Sequence, residues 1–196
     1  QEYDVIIFPE GRYGSLFNDS KLKILQEWIR EGGKAIFIES AAQALAGKEG
    51  WGLTQQKVDE KDKTEAEKKV EKLKKFSDRQ RDAVSKMISG SIYQVSLDNT
   101  HPLAMGYSSD YFTLKSGSKN YDLMESAWNV GWLDGTAEPV SGFAGANVKP
   151  KPEDSLVMGV KPIGSGSAIY FIDNPIFRLF WHNGFLAFGN AVFLVD

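Results

Sequence analysis

The stretch GGKAIFIESAAQ, residues 32–43, decides the fold. Gly32-Gly33 ends a helix, because glycine takes the left-handed C-terminal position without a steric penalty. Ala35 to Ile38 returns the chain to the sheet. It leads straight into the small residues Ser40-Ala41-Ala42, a tight turn that opens another helix. Such a corner presents a nucleophile in α/β enzymes, since ligands sit at the carboxyl ends of the strands. This chain has no cysteine there or anywhere else. Upstream, YDVIIFPEG (residues 3–11) reads as a second strand, whose continuous apolar run Val5-Ile6-Ile7-Phe8 is that of a strand covered on both faces, stopped by Pro9-Glu10-Gly11. Between the two, Leu22, Leu25, Trp28 and Ile29 recur at helical spacing behind Ser20 as a candidate N-cap. The unit is βαβ, with a right-handed crossover.

Composition narrows the function classes. A chain of 196 residues buries a proper core, and a net charge of −3 argues against a nucleic-acid surface. No apolar run approaches the roughly 20 residues that span a bilayer. The start at Gln1, close to the first strand, leads us to expect a single domain cut from a longer protein.

Residues 57–86 differ in kind: 19 of the 30 are charged, without glycine or proline. Thr64-x-x-Glu67 and Ser77-x-x-Gln80 have the capping-box pattern, and Glu65–Lys69 and Glu71–Lys75 are favourable i,i+4 pairs. One stripe comprises Ala66, Val70, Leu73 and Phe76, and the next Ala83, Val84 and Met87. The pattern predicts a charged helical insertion over about 54–89, either a solvated surface element or a docking surface. Beyond it, Ile92, Tyr93, Val95 and Leu97 alternate as a strand, and residues 128–145 predict short strands and tight loops. Leu156 to Val160 and Ala168 to Ile172 form a strand pair around Gly164-Ser165-Gly166, a hairpin turn in preference to a phosphate cradle. Phe185 to Val195 is helical, with Leu186, Ala191, Val192 and Val195 toward the core. Trp128, Trp132, Phe143, Phe171, Phe177, Phe180 and Trp181 read as core packing or, in part, as an exposed contact patch.

Few groups in the sequence carry chemistry. His101 and His182 are the only histidines, and neither has metal-ligand spacing, so no metal site is expected in this domain. Ser40 lacks an evident base; His101 is the best candidate, and the simpler role for Ser40 is to cap the next helix. No residue is assigned as catalytic; the candidates kept open are Glu39, Ser40, His101 and Asp173, the last of which reads first as part of the turn Asp173-Asn174-Pro175. Asp98, Asn99 and His101 form a candidate binding turn, although turn chemistry alone explains them.

The segments YDVIIFPEGRY, WIREGGKAIFIESAAQALAGKEGW, SLDNTHPLAMGYSSDYFTLK, WNVGWL and AIYFIDNPIFRLFWHNGFLAFGNAVFLV, in that order, resemble a class I glutamine amidotransferase-like domain. More specifically, the chain resembles the C-terminal domain attached to zinc carboxypeptidase-like proteins of Bacteroidetes-type bacteria. The resemblance implies a three-layer α/β/α fold with a mainly parallel, flavodoxin-like sheet. It places the lost cysteine at Glu39 or Ser40, and the lost histidine near Phe171-Ile172-Asp173-Asn174-Pro175. It implies a non-catalytic accessory domain of a secreted, periplasmic or extracellular metallopeptidase. Zinc would belong to the upstream peptidase domain, which would be the partner, with self-association as the alternative. Two rival readings remain open. One is a hydrolase or transferase using Ser40 or Glu39 with His101 or Asp173; the other is a small-ligand or glycan module at the corner.

Overall fold

The computed structural model describes residues 2–57, 69–70, 72–148 and 152–196. Eight strands make one sheet: β1 (Val5–Phe8), β2 (Lys34–Ile38), β3 (Ile88–Leu97), β4 (Tyr111–Lys115), β5 (Trp128–Thr136), β6 (Ser141–Ala144), β7 (Glu153–Ile163) and β8 (Gly166–Phe171). Their spatial order is β1-β2-β8-β7-β5-β3-β4, with β6 pairing β3 off that row. Only β1–β2 and β2–β8 are parallel. The pairings among β3 to β8 are antiparallel.

The parallel end is built as the sequence suggests. Helix α1 (Asp19–Arg30) joins β1 to β2, and Leu22 and Ile29 are its buried side chains. Its cap is Asn18, whose side chain accepts from the Lys21 amide, and not Ser20, which donates to that same Asn18 oxygen. Side chains alternate along a strand. Ala35 and Phe37 of β2 join Ala168 and Tyr170 of β8 beneath α1. Ile36 and Ile38 join Ile169 and Phe171 on the opposite face, beneath helix α4 (Phe185–Phe193). The strand covered on both faces is thus β2, whereas β1, expected to be so covered, is an edge strand only partly buried, with Ile7 exposed. Phe37 sits in an aromatic column, stacked on Phe8 at 4.9 Å and Tyr170 at 5.7 Å, with Trp51 edge-on at 5.4 Å. The Tyr170 hydroxyl finds its acceptor at Trp51 O, 2.8 Å away.

The expected three-layer, mainly parallel, flavodoxin-like architecture is corrected to a mixed, curled half-barrel sheet with few helices. The physical reason lies in the connections. A parallel neighbour needs a crossover of a dozen or more residues, usually a helix. An antiparallel neighbour needs no such crossover, as where Gly164, at φ +65°, lies in the tight β7–β8 hairpin.

The charged segment supplies no covering layer in its described part. Helix α3 (Phe76–Ser85) buries none of its residues, and Phe76 is 84% exposed. The Ser77–Gln80 capping box does not start it: the cap is Lys75, without a side-chain bond. The Thr64–Glu67 box and the Glu65–Lys69 and Glu71–Lys75 pairs lie outside the described residues. Further on, Ala187 and Ala191 fill the core side of α4, whereas Leu186 is exposed. Of the expected aromatic core, Phe171 is buried, while Trp128, Phe143 and Phe180 are exposed.

The curl is visible in side-chain contacts. Strand β4 lies four places from β8 in the row, roughly 19 Å in a flat sheet. Yet Thr113 Oγ1 of β4 donates to Asp173, just past β8, at 2.9 Å. The outer side of β4 is occupied as well: the Phe112 amide donates to Asn183 Oδ1 at 2.7 Å, and Trp181 Nε1 donates to Phe112 O at 3.2 Å.

Candidate functional site

The site forms where β2 ends. Glu39 has φ +49° and ψ −110°, a backbone conformation that costs a residue with a Cβ about 1–3 kcal/mol. Its amide donates to Phe171 O of β8 at 2.8 Å, so the strained residue is tied to the sheet. Helix α2 (Ser40–Gln43) begins at the next residue, and its Ala41 and Ala42 are fully buried. Larger side chains would not fit under this turn. The corner thus has strand-turn-helix geometry, with a glutamate where a nucleophile would stand.

Three other segments close around it. Asp173 follows β8, and its carboxylate accepts from Thr113 and lies 3.6 Å from Lys115 Nζ in a nearly buried pair. Lys115 Nζ also donates to Lys119 O at 3.2 Å, which holds the loop after β4. In that loop Ser116 Oγ donates to Glu39 Oε1 at 3.4 Å, and Lys119 Nζ donates to Gln43 Oε1 at 3.2 Å. Glu39, Gln43, Asp173 and the 116–119 loop line a cavity of about 280 Å³, floored by Ile172. This is near the small end of ligand sites.

The electrostatics centre on Glu39. Its carboxyl is pushed up to about 7, first by loss of water, then by the negative charges of Glu10 and Asp173. A hydrogen bond with Glu10 adds to the rise, and the one from Ser116 opposes it. Burial and like charge both disfavour its ionised form, so Glu39 can hold or release a proton near neutrality.

The structure brings Glu39 and Asp173 together and leaves the other candidates elsewhere. Ser40 Oγ accepts from the Gly11 amide at 2.8 Å and pins the loop after β1; it does not cap α2, whose cap residue is Glu39. His101 accepts from the Leu103 amide through Nδ1 and lies 6.1 Å from the Trp128 ring. Burial pushes its imidazole below its ordinary value. Asp98 is bonded to Thr100, and Asn99 donates to Ser108 O. These three residues serve their own turn. No histidine lines the cavity. Among the described residues no cluster of histidine, cysteine and carboxylate side chains is arranged to hold a metal.

Sequence reasoning did not single out Glu10, Thr113, Lys115 or the 116–119 loop as functional. A signal was present in YFTLK: Tyr111, Thr113 and Lys115 share one strand face, and all are buried. A lysine on an inward face demands a carboxylate partner.

No protein-family model and no curated protein sequence matches this chain. Solved structures show similarity of fold. A β-galactosidase from Bacillus circulans sp. alkalophilus matches over 96% of this chain with 13% identity and a TM-score of 0.51. A β-galactosidase from Rahnella sp. R3 matches over 97% with 14% identity and a TM-score of 0.52. The chain spans 22% and 23% of those proteins' lengths. A ThuA-like protein from Parabacteroides merdae gives 12% identity over 95% of this chain and 71% of its own, with a TM-score of 0.46. The expected kinship with a carboxypeptidase-attached amidotransferase-like domain is corrected: the solved structures whose fold this chain shares are β-galactosidases, and the sheet is a mixed half-barrel.

Proposed function

We propose that this chain is a non-catalytic binding domain whose corner cavity takes a small polar ligand. The observation that carries the reading is Glu39: a carboxyl stands on a strained backbone at the end of β2 and lines a cavity shared with Asp173. Strain of this kind persists where the surrounding structure enforces it, commonly at ligand sites. The cavity presents carboxylate, amide, hydroxyl and ammonium groups, the set that recognises a hydroxyl-rich or zwitterionic molecule. Any partner is most simply another part of a longer parent chain, with self-association as the alternative; neither is needed for the cavity to bind.

Titration of the isotopically labelled chain with small polyols, amines and amino acids tests this reading. Amides of Ser116 to Lys119 and of Gln43 should move together, and Glu39→Gln or Asp173→Asn should weaken the response. A set of such ligands that leaves those amides unmoved would overturn it.

A second reading is favoured by the elevated Glu39 carboxyl: a hydrolase in which Glu39 passes a proton beside Asp173, which Lys115 holds in place. Turnover of simple aryl esters or glycosides, lost in Glu39→Gln, would select this reading over the first.

A further inference from the structure

We propose that Lys115 is the positioning residue of the corner cavity: its side chain ties the Asp173 wall to the 116–119 wall and so fixes the shape a ligand meets. This rests on the binding reading above and names the group on which the site's geometry depends. Lys115 ends β4, on the inward face it shares with Thr113, and is 2% exposed. It does not line the cavity, yet both of its partners do. Its Nζ lies 3.6 Å from Asp173 Oδ1 and donates to Lys119 O at 3.2 Å. An ammonium has three donors and no acceptor, so one group can serve both walls. Thr113 secures Asp173 from the same strand face, so that wall has a second support.

The loop wall has little else to give it a shape. Its sequence, Ser116-Gly117-Ser118-Lys119, holds no apolar side chain, and none of the four residues is buried. A Cβ added at Gly117 would meet nothing within 4 Å, so no described residue packs on the tip. Among the described residues three side-chain bonds reach these four positions. Those from Ser116 to Glu39, at 3.4 Å, and from Lys119 to Gln43, at 3.2 Å, are exposed, where water competes for each donor. The third comes from the buried Lys115 and spans residues 115 to 119, closing the loop at its base like a buckle. A buried donor left without its acceptor costs more than an exposed one, so this bond is the one that persists.

The experiment exploits the absence of cysteine: Lys115→Cys places a single thiol, alkylated in denaturant before refolding. With 2-bromoethylamine the side chain regains its length and its ammonium; with 1-iodopropane it regains the length alone. In the labelled chain without ligand, the parent and the aminoethyl form should show rigid amides from Ser116 to Lys119, with order parameters of about 0.85. The propyl form should drop below about 0.6 there while the amides of β8 keep their values, which a general loss of packing would not allow. Its response to the polyols, amines and amino acids named above should weaken at least about tenfold, and the aminoethyl form should respond as the parent does. Asp173→Asn keeps the bond to Lys119 O and should hold the loop. Combining it with the propyl group removes both charges, so no buried charge is left alone and the fold is kept; the loop should then loosen. An ordered loop in either propyl form, or a loose loop that binds as the parent does, overturns the proposal and leaves Lys115 as a partner for Asp173 only. If the parent itself answers to none of those ligands, the binding reading falls, and the brace is still judged by the loop amides alone.

Discussion

The two ends of the sheet are made differently, and the site needs both. At the parallel end, β8 is buried along its whole length, and β2 lacks full burial only at Lys34. Helices lie on both faces there, and an aromatic column fills one of them. At the antiparallel end β6 is mostly exposed, and α3 beside it buries nothing. The stiff end fixes Glu39 and Asp173 at two strand termini. The curled end carries Thr113, Lys115 and Ser116 back to meet them. Rigidity thus sets the positions of the two carboxyls, and curvature sets what surrounds them.

The contrast is most sharply broken with glycine. A Cβ at Gly166 would lie 2.2 Å from Gly33 O and 2.2 Å from Ile29 O, both main-chain atoms where α1 meets the sheet. Gly166→Ala should cost more than about 4 kcal/mol or leave the chain insoluble. Gly90, in β3, has open space around its Cβ position and only its φ of +132° against substitution. Gly90→Ala should cost about 1–3 kcal/mol and still melt cooperatively. Equal losses in the two variants would show that the ends are equally rigid. Truncating phenylalanines makes the same comparison more gently. Phe37→Ala should lose about 3–5 kcal/mol in denaturant melts, whereas Phe143→Ala, at a residue 45% exposed, should lose less than about 1 kcal/mol.

Glu39 tests what the rigid end tolerates. Its carboxyl stands at about 7 in the fold against an ordinary 4.5, so the folded chain holds more protons than the unfolded one between those values. Stability is full below the lower value and is lost as pH rises through the upper. Glu39→Gln removes that loss and should add about 2 kcal/mol at about pH 8, with no gain at about pH 4, since solvent reaches the cavity mouth and screens part of the effect. A gain independent of pH would mean that the carboxyl is ionised at no cost. The smallest effect belongs to α3: Phe76→Ala should stay within about 0.5 kcal/mol of the parent, and a larger loss would mean that the helix rests on something apolar.

The βαβ unit, the hairpin at Gly164 and the corner at Glu39 were legible because each is local. Glycines, apolar runs and small residues announce a turn or a strand within a few positions. The sheet's direction was not legible. Whether β3 returns parallel or antiparallel depends on whether the charged segment crosses a sheet face, and helical periodicity states only that a helix forms. The site was half legible for the same reason. Glu39 and Asp173 follow strands that can be read directly, while Ser116 and Lys115 reach them only through the curl. Asn18 took the cap from Ser20 by a shift of two residues, within the normal uncertainty of helix starts.

The outer rim of β4 has a consequence for the life of the chain in a crowded solution. A strand at the end of a sheet invites another molecule's strand, and runs such as YFTLK, rich in β-formers, are hazardous when left open. Here the Phe112 amide and carbonyl are taken by the side chains of Asn183 and Trp181. A foreign strand would first have to evict two side chains from a turn, losing two hydrogen bonds before gaining any. The protection is borrowed from the far end of the sequence, so nascent chains lack it until residues 181–183 have emerged and folded back. Fibril formation should therefore be fastest in truncated products that end between β4 and that turn.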